Sequence, residues 1–350
     1  MPRKKAWELP ALRAHLLNGQ AIPAHPLALT AARKLDERRQ RALSRYYIAS
    51  ESGGLAVGVH TTQFAIRDAA HGLLEPVLAL AAEELANATR PIIGIAGICG
   101  TTPQAIQEAH IASNLGYDCG LLSLSAWKAA SEEEILAHCK EVSAVLPVFG
   151  FYLQPAVGGR VLSHRFWREF VEIERVVAIK IAPFNRYQTW DVVRAVLQSG
   201  RTDVALYTGN DDNIAADLLT EFSYDGSSLR IVGGLLGHWS TWTQKAIHHF
   251  QRCRQLDSTS SDWPQLLRSG VEITDINAAF FDTANGFHGC IAGIHESLRR
   301  NRLLEGIWCL DPKESLSPGQ FEEIDRVERM YSHWNDKEFI DEHLEAWLSG

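Results

Sequence analysis

The run Val176-Val177-Ala178-Ile179-Lys180-Ile181-Ala182-Pro183 is apolar throughout except for one lysine. Its length and its β-branched residues predict a strand buried on both faces, the kind that parallel sheets contain. An ammonium group there costs several kcal/mol to desolvate, so burial drives the lysine pKa down toward neutrality. A neutral buried amine is a nucleophile, and such lysines form imines with carbonyl substrates. The competing reading is a strand-end lysine whose head reaches water or a carboxylate on a neighbouring strand.

On either side of this run, short apolar segments alternate with longer ones of helical period, which is the pattern of parallel β/α units. The strand candidates before it are Ala21 to Thr30, weakened by Pro23 and Pro26, then Gly54 to Val59, Pro91 to Ile98, Cys119 to Leu124 and Val148 to Leu153. Val177 to Ala182 is the sixth, and Val204 to Thr208 and Leu229 to Gly233 complete a set of eight. Between them, Thr102 to Ala112, Leu136 to Val145 and Trp190 to Leu197 carry apolar residues at helical spacing. Thr102 caps the earliest of these helices and Pro103 takes its first position. The set predicts an α/β protein, a (β/α)8 TIM barrel whose reactive groups gather at the C-terminal ends of the strands. A doubly wound open sheet would want a G-x-G-x-x-G phosphate loop, and the sequence has none.

After about residue 240 the alternation stops, and helices are predicted over Trp242 to Arg254, Ile276 to Leu298 and Pro318 to Trp334. The last has Ser317 as cap, Pro318 in its first turn, and Glu322 and Glu323 near the positive end of its dipole. The expected organisation is a barrel over residues 1–240 and a C-terminal helical extension over 241–350, with Asp257 to Asp262 as a flexible loop.

Composition narrows the function. With 46% hydrophobic and 22% charged residues, the 350-residue chain can bury a large core. Its 34 basic and 42 acidic residues give a net charge of −8 without a basic stripe, which argues against nucleic acid as a partner. The basic opening Met1 to Lys5 is not followed by the apolar core of a signal peptide, and no uncharged apolar stretch is long enough to span a membrane, so a cytoplasmic location is expected. Six cysteines without C-x-x-C spacing read as reduced core thiols; Cys99, after an apolar run, could also line a site.

The other strand ends hold candidate partners for Lys180. Tyr152 closes the fifth strand in Phe149-Gly150-Phe151-Tyr152-Leu153-Gln154-Pro155, where a phenol could shuttle protons; its alternative is a core aromatic. The second strand ends in Gly58-Val59-His60-Thr61-Thr62-Gln63-Phe64, hydroxyls and an imidazole that could hold a carboxylate or cap the next helix.

Taken in order, these motifs resemble the dihydrodipicolinate synthase and N-acetylneuraminate lyase superfamily of class I aldolases. Tyr46-Tyr47-Ile48 with Gly53 to Gly58 resembles the start of its second β/α unit, Tyr152-x-x-Pro155 its tyrosine motif, the Lys180 strand its imine-forming strand, and Thr208-Gly209-Asn210-Asp211 its Ser-Gly-Asp-Asp turn. The resemblance covers about residues 25 to 310 and implies a barrel with a helical extension, assembled as a homo-oligomer, dimer or tetramer. It implies action on pyruvate or another 2-oxo acid through an imine on Lys180, with no metal and no separate cofactor.

Three departures separate this chain from dihydrodipicolinate synthase itself. Val59-His60-Thr61-Thr62-Gln63 replaces Gly-Thr-Thr-Gly-Glu; Val157 takes the position of the dicarboxylate-binding arginine, with Arg160 three places late; and Trp127 falls where a proton-relaying tyrosine belongs. The expectation is a lyase, aldolase or hydro-lyase, on a different substrate. Lys180 and Tyr152 are its catalytic pair, Thr61 and Thr62 hold a carboxylate, Gly209 and Asn210 line the site, and His60 or His238 supplies an acid–base group. Trp127 presents a flat wall to a bulkier or less polar acceptor. Two other readings are a metal-dependent barrel hydrolase or aldolase with His60, His238 and Asp211 round a divalent ion, and a non-catalytic barrel that senses a metabolite.

Overall fold

The computed structural model describes residues 7–256 and 260–349. Met1 to Lys5 and the first half of the loop expected at Asp257 to Asp262 lie outside the described residues. Eight parallel strands build the centre: β1 (Ala21–Pro23), β2 (Gly54–Val57), β3 (Ile93–Ile98), β4 (Cys119–Leu122), β5 (Val148–Leu153), β6 (Val176–Ala182) and β7 (Ala205–Thr208). A peripheral antiparallel hairpin, β8 (Glu221–Tyr224) and β9 (Ser227–Arg230), precedes the eighth, β10 (Gly233–Leu236). The order round the sheet is β1-β10-β7-β6-β5-β4-β3-β2. A parallel bridge between Ala24 and Ala56, with His25 N–H donating to Ala56 O at 2.8 Å, brings the first strand back beside β2. The result is a nearly closed TIM barrel with flanking and C-terminal helices.

Two of the strand assignments shift. The expected first strand stops at Pro23, because prolines at 23 and 26 remove ladder donors. The eighth strand is not Leu229 to Gly233. Asp225 (φ 47°) and Gly226 (φ 77°) form a two-residue turn that folds Ser227–Arg230 back on β8, and the barrel strand starts only at Gly233. Gly233 and Gly234 carry no apolar signal, yet a Cβ at Gly233 would lie 2.5 Å from Gln20 O and 2.6 Å from the Tyr207 ring. Only glycine permits that approach.

The barrel interior is apolar and filled from below. The helix Leu9–Leu17, not anticipated from the sequence, sets Leu12 and Leu16 against Ile22, Ile93, Cys119, Phe149 and Tyr207. The Tyr207 hydroxyl donates to Leu16 O at 2.7 Å, so this buried phenol is paired. Near the other end, the buried Arg67 guanidinium meets Glu108 and donates to Gly58 O (3.0 Å) and Gly97 O (2.9 Å), while Glu108 accepts from Cys99 N (3.0 Å). This network ties the ends of β2 and β3 together.

The second, larger core lies between strands and helices and runs on past residue 240 through Ala246, Ile247, Phe250 and Cys253 to Ile340 and Leu344. The helix Lys337–Leu348 packs on the helix Glu37–Ala49, with Trp347 5.6 Å from Tyr46 and Asp336 accepting from the Tyr46 hydroxyl at 2.6 Å. The C-terminal residues therefore cover their own barrel. The helix expected over Ile276 to Leu298 is broken into Trp263–Phe280 and Cys290–Arg300. Asp282 (φ 55°), Gly286 (φ 62°) and Phe287 (φ 69°) turn the chain, and the Asp282 carboxylate accepts from Gly289 N at 2.9 Å and from the Ser317 hydroxyl. Ser317 is thus spent on Asp282, and the helix it was expected to cap, Gln320–Met330, starts behind Gly319 (φ 84°). Thr102 is likewise one place off: Thr101 occupies the cap position, without a side-chain bond, and Pro103 sits in the first turn.

Among the described residues no helix is long and apolar enough to cross a membrane. All six cysteines are free and all but Cys290 are buried.

Candidate active site

The C-terminal ends of the strands open into a cavity of about 640 Å³, its mouth included. Lys180 lies on its floor, from the middle of β6. In register with Lys180 on β5 stands Phe151, whose ring centroid is 4.5 Å from the Lys180 Nζ. On β7 the position in line with the lysine side chain is Gly209: a Cβ there would lie 2.6 Å from Lys180 Cε and 2.8 Å from Ala182 Cβ. Gly209 N–H donates to Ile181 O at 2.7 Å, extending the ladder past the formal end of β7. The lysine therefore reaches the cavity through a slot that one missing methyl group creates.

Asp211, two residues on, lines the same cavity, and its Oδ1 has no hydrogen-bond partner in the protein. Burial lowers the Lys180 pKa, opposed by the Asp211 charge. Burial raises the Asp211 pKa, opposed by the Lys180 charge and by the backbone N–H of His238. Each group thus lies nearer neutrality than it does in water.

The structure brings some of the expected residues to this cavity and not others. His60, half-buried, lines it; burial and then the Lys180 charge lower its pKa to about 4, so it is a neutral imidazole at pH 7. Thr61 also lines it, but its hydroxyl donates to Ala24 O at 2.9 Å. Thr62 is fully buried behind it, donating to His25 O at 2.6 Å and accepting from Gly58 N at 3.0 Å. Both hydroxyl protons are committed to carbonyls, so these side chains shape the turn and are not free donors for a carboxylate.

Tyr152 is not with Lys180. Side chains alternate along a strand, and β5 sends Phe149 and Phe151 into the barrel while Tyr152 points to the helices. There it packs 5.0 Å from Trp167, its hydroxyl 3.3 Å from both Leu162 O and Leu162 N. Trp127 is also outside the cavity: its indole N–H donates to Gly100 O (3.1 Å) and its ring lies 4.7 Å from His138. Arg160 donates to Trp127 O (2.9 Å) and Ala130 O (2.7 Å), holding that turn and not a substrate. The His238 ring is buried off the cavity, beside the Asn277 side chain; burial lowers its pKa to about 4. Among the described residues no three His, Cys, Asp or Glu side chains gather closely enough to hold a metal ion, and His60, His238 and Asp211 do not form such a set.

Asn210 faces away too, yet it shapes the cavity indirectly. Its Nδ2 donates to Asp217 Oδ2 (2.9 Å) and Thr189 Oγ1 (3.2 Å), and its Oδ1 accepts from Phe184 N (3.0 Å). That last bond helps hold Phe184 at φ 50°, a backbone conformation in which a phenylalanine is strained. Phe184 forms one wall and lies 5.8 Å from Phe287. Phe281, Phe287, Cys290 and Ile294, from the broken helix, complete a largely apolar roof. Sequence reading missed these four, because nothing local marks residues a hundred positions away from a lysine as its neighbours. Apart from Lys180, no lysine or arginine among the described residues lines the cavity.

Comparison with known proteins agrees with the fold. The family model described as the dihydrodipicolinate synthetase family matches residues 20–231. Similar solved structures include N-acetylneuraminate lyase from Fusobacterium nucleatum complexed with pyruvate: 17% identity, 91% of this chain and 99% of that one, TM-score 0.71. YagE of Escherichia coli K12, a prophage protein of the dihydrodipicolinic acid synthase family in complex with pyruvate, matches at 17% identity over 89% and 98%, TM-score 0.73. The synthase from Cyanidioschyzon merolae with lysine bound matches at 19% identity over 89% and 98%, TM-score 0.73. No curated protein sequence matches the chain.

Proposed function

The chain belongs to the dihydrodipicolinate synthetase family, and from that premise we propose that it is a class I aldolase that joins or cleaves a carbon–carbon bond in a 2-oxo acid, pyruvate being the donor, through an imine on Lys180. The observation that carries the reading is the Lys180 amine itself: depressed in pKa by burial and lining the apolar cavity at the strand ends. A lysine of that kind loses its proton at modest cost and attacks the 2-oxo carbon; loss of water then leaves an iminium that draws electrons from the adjacent bond. The pyruvate complexes of two similar barrels favour the same donor.

The lining favours a substrate other than that of dihydrodipicolinate synthase. A dicarboxylate needs a cation at the cavity mouth, and Val157 stands on the lining while Arg160 is bound to backbone carbonyls of the turn at Trp127. Phe184, Phe281 and Phe287 suit an apolar or aromatic acceptor. Assembly as a homo-oligomer is part of the proposal, and sedimentation equilibrium checks it.

The test is borohydride reduction with pyruvate and with a panel of 2-oxo acids carrying aliphatic, aromatic or acidic tails, read by intact and peptide mass spectrometry. One adduct per chain on Lys180, absent in Lys180→Ala, is the expected result. No adduct with any member of the panel would overturn the imine reading.

A further inference from the structure

We propose that Asp211 is the general acid–base of the imine reaction, in the place that the outward-facing Tyr152 leaves empty of a phenol. This rests on the imine reading above. The argument starts from what the lumen offers. Imine chemistry needs a group that gives a proton to the departing carbinolamine hydroxyl and takes one from the hydroxyl at the carbon that is cleaved. Beside Lys180 on β5 the lumen holds Phe151 and Leu153, neither able to carry a proton. The Tyr152 hydroxyl is bound to the backbone at Leu162, on the far side of the strand.

Among the described residues, two titratable groups besides Lys180 and Cys290 remain on the lining: His60 and Asp211. The Cys290 thiol is driven far up by burial and by Asp211, so it stays protonated. His60 is held at about 4, too weak a base to keep a proton between steps near neutral pH. Asp211 has the opposite properties: Oδ1 is buried without a partner, burial favours its protonated form, and it follows Gly209, whose slot admits the lysine. The groups packed round it are Lys180, Asp212, the His238 backbone N–H and Cys290. Only Lys180 among them carries a positive charge, and it is lost when the imine precursor forms.

The step balances with this one carboxyl. The acid form of Asp211 protonates the carbinolamine oxygen as the C–O bond breaks, giving water and the iminium. The resulting carboxylate takes the proton from the 4-hydroxyl of the substrate while the C3–C4 bond breaks, its electron pair moving toward the iminium to form the enamine, and the aldehyde leaves. Asp211 returns that proton to C3. Water adds to the iminium, gives its proton to Asp211, and the carbinolamine collapses to pyruvate and the free amine. Condensation is the reverse sequence.

The test compares Asp211→Asn, Asp211→Glu and Tyr152→Phe with the parent protein, each first shown to melt as a folded chain. Two readouts separate the proposal from its premise: borohydride trapping of pyruvate on Lys180, and exchange of the pyruvate methyl protons with deuterated water followed by NMR. In Asp211→Asn the adduct still reaches one per chain on Lys180, formed more slowly because water loss lacks its acid, and exchange falls by about 10² to 10⁴, with partial recovery in Asp211→Glu. The pH at which trapping is half-maximal also moves down, because the charge that holds the lysine proton is gone. Exchange within a few-fold of the parent in Asp211→Asn, or a loss confined to Tyr152→Phe, would overturn the role of Asp211. Failure of the parent itself to trap pyruvate or any 2-oxo acid strikes the imine reading instead. If Asp211→Asn does not fold, Asp211→Glu carries the test, since a carboxyl displaced by one methylene must slow exchange while leaving the adduct.

Discussion

The two ends of the barrel are built on opposite rules. At the end closed by the helix Leu9–Leu17, apolar side chains fill the lumen and the Tyr207 hydroxyl is paired. At the other end Lys180 and Asp211 face the cavity, Asp211 Oδ1 without a partner and burial shifting both groups toward neutrality. Unpaired buried polar atoms cost stability. The closed end carries apolar packing and the open end the reactive groups.

That division predicts how variants sort. Leu16→Ala, at the closed end, removes a fully buried side chain and is expected to cost about 2–5 kcal/mol of unfolding free energy, measured by urea denaturation, with trapping per folded molecule unchanged. A loss of trapping in the folded fraction would show that the ends are coupled. Gly209→Ala, at the open end, drives a methyl group onto Lys180 Cε; displacing the amine by about 1 Å is expected to slow adduct formation about 10²-fold with a small change in melting temperature.

Acid probes the buried imidazoles that sit outside both ends. His25, His138, His238, His249 and His295 are buried, with burial as the first cause holding each at about 4. Between pH 6.5 and 4 the unfolded chain takes up protons at these sites and the folded chain does not. Stability therefore falls as pH falls through that window, by at most about 1.4 kcal/mol per pH unit for each imidazole. Melting curves that stay flat from pH 7 to 4 contradict this. The smallest effect belongs to Tyr152→Phe: turnover within about twofold of the parent, and about 1 kcal/mol of stability lost with the contacts at Leu162, read by steady-state assay and thermal melt.

How far the sequence could be read followed the range of the signal. Lys180 announces itself because one charge interrupts an apolar run, and Gly209 because it sits in a turn next to a strand end. Strand β5 is apolar on both faces, so its pattern cannot say which parity faces the lumen; the family-like spacing of Tyr152 and Pro155 pointed to the tyrosine, and the pleat chose Phe151. The eighth strand was misplaced by the pull of Leu229 and Ile231 against two glycines. The roof of the cavity depends on a break at Asp282 to Cys290 that is held by Ser317 and by Gln320, whose Nε2 donates to Gly289 O at 3.1 Å. No window of sequence contains all of those partners.

The plug formed by Leu12 and Leu16 has a kinetic consequence. It makes the lumen a blind alley with a single doorway, and Lys180 stands at its inner wall. Under the proposed chemistry whatever binds the lysine must arrive first and depart last, and the aldehyde comes and goes in front of it. Steady-state kinetics of the condensation should therefore be ordered, with an excess of aldehyde blocking the way in.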